Sequence, residues 1–271
     1  MRSLNKSDHK VAIFCTRDSR KVLDSAIDYY LSIGLESFEI ICPKKDLKNL
    51  NFEKPGINFT FDENLPFYKE LYESSKILEK KQGWYLQQFL KLSYWHNSKK
   101  DCLVIDGDTI LSKKAFENII YNNYLYYTEE NIFNYNYLVS NLFREVKHNK
   151  SFICNFANFK TNNKDLFDEG FMKFIKNILN LLLENVDVDF SEYQLHGAIE
   201  HSKNDNVKKL RIFRRADLFI WGPLKLSKKI RIKHLDEFFL YYDAICYESK
   251  HKKNFLKSLI AHFYKLIGIS W

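Results

Sequence analysis

Leu103-Val104-Ile105-Asp106-Gly107-Asp108-Thr109 is the stretch on which the fold turns: a short apolar run of strand type that passes straight into an acidic turn. In open parallel sheets, ligands bind beyond the carboxyl ends of the strands, so the two aspartates stand where a site is expected. Two carboxylates separated by one small residue can face the same divalent ion, since hard cations prefer carboxylate and phosphate oxygens. Gly107 lets a second backbone approach closely. Other readings of the same residues exist. Asp-Gly between apolar residues is a hairpin signal, and Asp106 and Asp108 would also suit a phosphatase or phosphotransferase with an aspartyl-phosphate nucleophile. That motif normally belongs to the first strand, whereas three strand candidates precede this one. An EF-hand loop is excluded because its sixth position, here Leu111, must be glycine.

Upstream, Val11 to Thr16 (VAIFCT) is a strand candidate, followed by the polar turn Arg17-Asp18-Ser19 and a helical pattern through Val22, Leu23, Ile27, Tyr30 and Leu31 that Gly34 ends. Phe38 to Cys42 (FEIIC) and Ile57 to Phe61 (INFTF) read as two further strands. Strand, helix, strand at this spacing predicts parallel pairing with right-handed crossovers. Helices are predicted from about Pro66 to Lys80 and from Trp84 to about Asn97, with a break near Gly83. Downstream of the acidic turn, Ser112 is placed to N-cap a helix through Ile120. Tyr121 to Asn141 is dense in Tyr and Asn and carries only weak periodicity, which assigns little. A long amphipathic helix is predicted from about Lys164 to Glu184.

The composition allows a large core, with 45% hydrophobic and 28% charged residues among 271. One compact α/β domain spanning 1–271 is expected. The five cysteines are far apart and read as reduced core residues. The N-terminus lacks the apolar stretch of a signal peptide, and no run reaches the roughly 18 apolar residues a span needs. The expectation is a cytoplasmic protein. A net charge of +8 favours anionic partners: nucleic acid, acidic lipid or a phosphorylated small molecule. Nucleic acid binding is the less favoured class, because no helix-turn-helix, zinc-finger or RNP signature is present and an acidic turn repels phosphates unless a metal intervenes.

On the helix GWYLQQFLKLSYW, Trp84, Gln87, Gln88, Lys91 and Trp95 share one face, with Leu86, Phe89, Leu90 and Ser93 on much of the other. Amide donors, an ammonium and aromatic surfaces on one side suit a carbohydrate or phosphate site; a partly buried helix is the bland reading.

With these pieces in order, the sequence resembles a family of bacterial GT-A-like glycosyltransferases associated with surface-polysaccharide synthesis. The resemblance spans roughly residues 10 to 200. It is carried by FTFDENLPF ending near Glu63, by Gly83 to Leu92 (GWYLQQFLKL), by Val104-Ile105-Asp106-Gly107-Asp108-Thr109, by Ser151-Phe152-Ile153 and by Phe190-Ser191-Glu192-Tyr193. It implies a GT-A-like, Rossmann-like mixed sheet, mostly parallel and flanked by helices. Residues 1–112 would bind the nucleotide sugar, 113–248 the acceptor, and 249–271 would form a basic amphipathic tail. The implied activity is metal-dependent hexosyl-type transfer, with Mn²⁺ or Mg²⁺, from a nucleotide-sugar donor to a growing surface glycan of capsule or lipooligosaccharide type.

Asp108 is then expected to ligate the metal and Asp106 to contact metal or ribose, with His234 as a third ligand. Thr16 and Arg17 at the end of the first strand, Glu63, Trp84, Gln87, Gln88 and Lys91 are assigned to the donor. Glu192 is expected to be a catalytic carboxylate, a general base or a support for the donor sugar. His196 departs from the pattern, since an aromatic is expected there. The basic run Lys208, Lys209, Arg211, Arg214 and Arg215 could wall a diphosphate. The tail, with Lys250, Lys252, Lys253, Lys257 and Lys265 among apolar residues and Trp271 at its end, suits an anionic membrane surface bearing a lipid-linked glycan acceptor, or equally docking against the protein's own core.

Overall fold

Four parallel strands set the frame, formed by the short apolar runs read above. The structure is a computed structural model and describes residues 9–15, 20–47, 55–129, 133–143, 150–185, 187–214, 235, 237 and 239–246. In chain order the elements are β1 (His9–Phe14), α1 (Arg20–Ser32), β2 (Phe38–Cys42), α2 (Lys44–Leu47), β3 (Ile57–Phe61), α3 (Tyr68–Ser75), α4 (Gln82–Asn97), β4 (Asp101–Asp106), β5 (Thr109–Leu111) and α5 (Lys113–Asn122). Then come β6 (Leu125–Tyr127), α6 (Phe133–Leu142), β7 (Phe156–Phe159), α7 (Phe171–Glu184), α8 (Glu192–Lys203), β8 (Val207–Lys209), β9 (Ile212–Arg214) and β10 (Ala244–Cys246).

The main sheet has the order β3-β2-β1-β4-β7. The first four strands are parallel, and β7 runs antiparallel to β4. The expected α/β architecture, a mixed and mostly parallel sheet between helices, is what the chain adopts. Strand alternation divides the core. Leu103 and Ile105 of β4 face α1 and α5, whereas Cys102 and Val104 face α4, α7 and α8. All five cysteines are buried thiols outside any disulfide. No described helix is long and apolar enough to cross a membrane.

Several local expectations hold. Gly34 has φ 95° after α1, the left-handed C-terminal position that favours glycine, and Ser112 caps α5 by accepting the Ala115 N–H at 3.1 Å. Others are corrected. The helix predicted from Lys164 is two pieces, a 3-10 segment over Thr161–Phe167 and then α7. Gly170, with φ 101°, breaks the path between them. The helix predicted from Pro66 begins only at Tyr68, after Phe67 in the left-handed region, and passes into a 3-10 segment over Lys76–Lys81. The stretch left unassigned holds β6 and α6.

The hairpin reading of Asp-Gly is overturned. β4 pairs with β1 and β7, whereas β5 pairs with β10 in a separate sheet of order β5-β10-β9. The turn therefore carries the chain from one sheet to another. Tyr30 of α1 fixes the landing point, its hydroxyl donating to the Thr109 carbonyl (3.3 Å) and accepting the Leu111 N–H (3.1 Å).

Candidate functional site

The register Phe14↔Asp106 and Cys42↔Phe61 aligns the carboxyl ends of β1 to β4 along one edge. Asp106 closes β4 there. Its N–H donates to the Asn155 carbonyl (2.9 Å), and the next N–H, of Gly107, donates to Phe14 (2.8 Å), so the backbone of the acidic turn is pinned from both neighbouring strands. Asp108 is half-buried and accepts the Thr109 hydroxyl at 3.2 Å. Glu63 lies at the same edge, just beyond β3, exposed and accepting the Lys44 N–H at 3.0 Å. Three strand spacings of about 4.8 Å separate β3 from β4, a reach of roughly 14 Å along the edge.

Behind Asp106 stands a buried lysine. Lys91 of α4 is fully buried, and its Nζ donates to Asp106 Oδ1 at 2.5 Å and to Glu192 Oε1 at 2.7 Å. It also lies 4.4 Å from the centre of the Tyr193 ring, while the Tyr193 hydroxyl donates to Asp106 Oδ1 at 2.8 Å. Gln88, one turn before Lys91, sets its side-chain amide against Glu192. Burial works against the Lys91 charge, but Asp106 and Glu192 outweigh it and hold its pKa above the ordinary value. Burial, aided by the Asp106 charge and opposed by Lys91, pushes Glu192 up to about 7. Burial and the same two carboxylates raise Tyr193 well above 10.0.

Glu192 opens α8, where Ser191 N-caps the helix and a carboxylate meets the positive end of the helix dipole. Upstream, Asp189 accepts the Tyr85 hydroxyl at 3.0 Å and pairs with Lys81, joining the start of α4 to the segment before α8. Phe152 packs over Gly197 so closely that a Cβ there would lie 2.2 Å from the ring. The Phe152 N–H donates to the Gln194 side chain at 2.7 Å. The separate motifs GWYLQQFLKL, DGDT, SFI and SEY thus converge on one place.

The polar helix face needs correcting at its far end. Trp95 is fully buried, donating its indole N–H to the Lys160 carbonyl (3.0 Å) and packing on Phe159 and Phe167. Trp84 and Gln87 are half-buried. The aromatic expected in place of His196 is replaced in kind, because its ring sits 4.7 Å from Phe159 and 5.7 Å from Trp95. In the basic run, Lys209 pairs with Glu129 and Arg211 makes a two-pronged contact with buried Asp243, which occupies both rather than leaving them as a wall. Thr16, Arg17, His234 and the tail 249–271 lie outside the described residues.

Among the described residues, no three His, Cys, Asp or Glu side chains gather as a metal site. The donor set offered at the edge is Asp106 and Asp108, all oxygen, which suits Mg²⁺ or Mn²⁺ completed by phosphate and water oxygens. Tyr193 is the residue that sequence reasoning passed over. Its position beside Glu192 on the first turn of a helix facing the acidic turn is the signal that could have found it.

The sequence matches no family model and no curated protein. Among solved structures, the chain is similar to the galactosyltransferase LgtC in complex with donor and acceptor sugar analogues. That similarity has a TM-score of 0.47 and 11% identity, over 95% of this chain and 95% of that one. It is also similar to the glycosyltransferase GlyE of Streptococcus pneumoniae TIGR4, with a TM-score of 0.39 and 10% identity, over 96% of this chain and 64% of that one.

Proposed function

We propose that this chain is a glycosyltransferase that moves a sugar from a nucleotide-sugar donor to a growing surface glycan, assisted by Mn²⁺ or Mg²⁺ at Asp106 and Asp108. The observation that carries the reading is the pinned acidic turn at the carboxyl edge of a parallel sheet, where the chain leaves one sheet for another. The motif resemblance supports it independently. A cation there would act as Lewis acid on the leaving diphosphate. On the protein side, Asp108 and the outer oxygen of Asp106 hold the ion, with His234 a further ligand. Glu63 at the same edge serves the nucleotide, Thr16 and Arg17 are assigned to it as well, and Trp84, Gln87 and Gln88 to the sugar and phosphates. The basic tail would keep the enzyme on the inner face of a membrane, near a lipid-linked acceptor.

Thermal-shift measurement with UDP-, GDP- and CMP-sugars, with and without Mn²⁺, tests the activity. A donor at 100 times its Kd adds about 2.7 kcal/mol to native stability, which is roughly 5–11 °C in Tm for a chain of this size. One nucleotide class should give that shift with Mn²⁺ and lose it with chelator; no shift with any donor overturns the reading. Liposome co-sedimentation of the full chain and of one ending at Ser249 tests the tail, and equal sedimentation by both rules it out as the anchor.

A further inference from the structure

A buried ammonium is a poor way to stabilise a protein. Removing it from water costs several kcal/mol, and apolar residues of similar volume often serve stability as well or better than a buried ion pair. What an apolar side chain cannot do is fix the direction of a carboxylate. Lys91 has two oxygen partners and one aromatic face, and both Lys91 and the Tyr193 hydroxyl converge on the same oxygen of Asp106, Oδ1. Among the described residues, Asp106 Oδ2 takes no hydrogen bond, and the Asp106 side chain keeps 23% of its surface exposed. The backbone of Asp106 is pinned by Asn155, and these two donors pin its side chain.

We propose that Lys91 is a positioning residue, with Glu192 as its counter-ion and Tyr193 as its partner on Asp106: it holds Oδ1 from behind so that Oδ2 is left turned outward for the cation. This rests on the metal-assisted reading above and gives Lys91 and Glu192 a different part from donor contact and general base. It also accounts for the convergence of the α4 and α8 motifs, since each supplies one half of the clamp.

The test is a pair of variants, Lys91→Met and Lys91→Met/Glu192→Gln, studied at pH 8 by melting and by Mn²⁺ titration followed by electron paramagnetic resonance. UDP, GDP and CMP are then added with Mn²⁺ in calorimetry. Loss of the ammonium alone leaves two carboxylates facing each other, so Lys91→Met should melt well below the parent. The double variant removes one charge of each sign and should recover most of that loss. Electrostatics alone predicts tighter Mn²⁺ binding in Lys91→Met and little change in the double variant. Positioning predicts weaker binding in the double variant by about 10- to 100-fold, the usual effect of losing an outer-shell partner.

Mn²⁺ affinity that returns with Tm in the double variant overturns the proposal, as does a parent chain with no Mn²⁺ affinity. A parent that binds Mn²⁺ but none of the nucleotides sinks the glycosyltransferase reading, and the Mn²⁺ titrations still decide the role of Lys91. If neither Lys91 variant folds, Tyr193→Phe decides. It keeps the ring and removes only the hydroxyl on Oδ1, so Mn²⁺ affinity should fall several-fold while Tm drops by about 2–4 °C, and unchanged affinity overturns the proposal.

Discussion

The two ends of β4 are built from the same parts and do different work. Asp101 opens the strand and Asp106 closes it; their side chains are 21% and 23% exposed, and each is paired with a lysine. At Asp101 both oxygens are taken: Oδ1 by the Thr161 N–H (2.9 Å) and hydroxyl (3.0 Å), Oδ2 by Lys160 (3.2 Å). At Asp106 both donors crowd onto Oδ1. A carboxylate whose lone pairs are filled on both oxygens is a structural tie. One whose donors are confined to a single oxygen is oriented and still able to bind. Neither exposure nor ion pairing separates the two, and the distribution of donors does.

Alanine at each end should break this comparison open. Asp101→Ala loses three hydrogen bonds, about 2 to 3 kcal/mol of stability or roughly 4–12 °C in Tm, and should leave Mn²⁺-dependent nucleotide binding within about 2-fold of the parent. Asp106→Ala should remove that binding altogether and also lower Tm, because Lys91 loses a partner. Asp108→Asn sharpens the contrast by losing the binding with Tm changed by no more than about 2 °C. Calorimetry and melting on the same three proteins decide it. Equal loss of affinity in Asp101→Ala and Asp106→Ala would remove the distinction between the two ends.

A middle-sized effect belongs to Glu192. As counter-ion, its replacement by Gln leaves a hydrogen-bond acceptor beside Lys91, so turnover should fall by less than about 10² with a modest loss of Tm. A general base would show about 10² to 10⁴ in turnover with Tm and donor binding unchanged. Comparing kcat, donor Kd and Tm of Glu192→Gln separates the two roles.

The acidic end was legible in the sequence because its logic is local. An apolar strand, a small residue between two aspartates and a capped helix at Ser112 all lie within ten positions, and local signals survive without tertiary context. The three parallel strands before it were legible for the same reason. The clamp was not. Lys91 and Glu192 are 101 residues apart, and helical periodicity placed Lys91 on a polar face without saying that β4 and α8 would close over that face. Trp95 misled for a related reason, since sharing a face with Gln87 says nothing about which end of a helix enters the core. The division of the long helix turned on one glycine inside a strong apolar pattern, where periodicity outvoted the backbone. His196 looked like a departure because its polarity was read, while the fold uses its ring.

That ring gives the smallest effect at neutral pH, and it belongs to the saturated end. His196 is buried between Trp95 and Phe159, and its Nε2 accepts the N–H of Lys160, the partner of Asp101, at 3.3 Å. Nδ1 therefore carries the proton, and it has no partner among the described residues. Burial, reinforced by the Lys160 charge and also by Lys203 and only partly opposed by Asp101, lowers His196 to about 3. The unfolded chain takes up a proton at this position below about pH 6.5, while the folded chain does not until about 3. Stability is therefore unaffected above neutrality and falls as pH drops from 6.5 toward 3. By pH 4 the deficit is about 3 kcal/mol, or roughly 6–12 °C in Tm. Phenylalanine keeps the ring, loses a long hydrogen bond and removes an unpaired buried donor, so at pH 7.5 His196→Phe should melt within about 2–4 °C of the parent, the shift that roughly 1 kcal/mol produces. On acidification it should gain on the parent, crossing above it before pH 5. Mn²⁺ binding should be the same in both, since nothing at this end reaches the open oxygen of Asp106. Melting curves from pH 7.5 to 4 check the first point; parallel curves across that range would mean the imidazole is hydrated or paired in the folded chain.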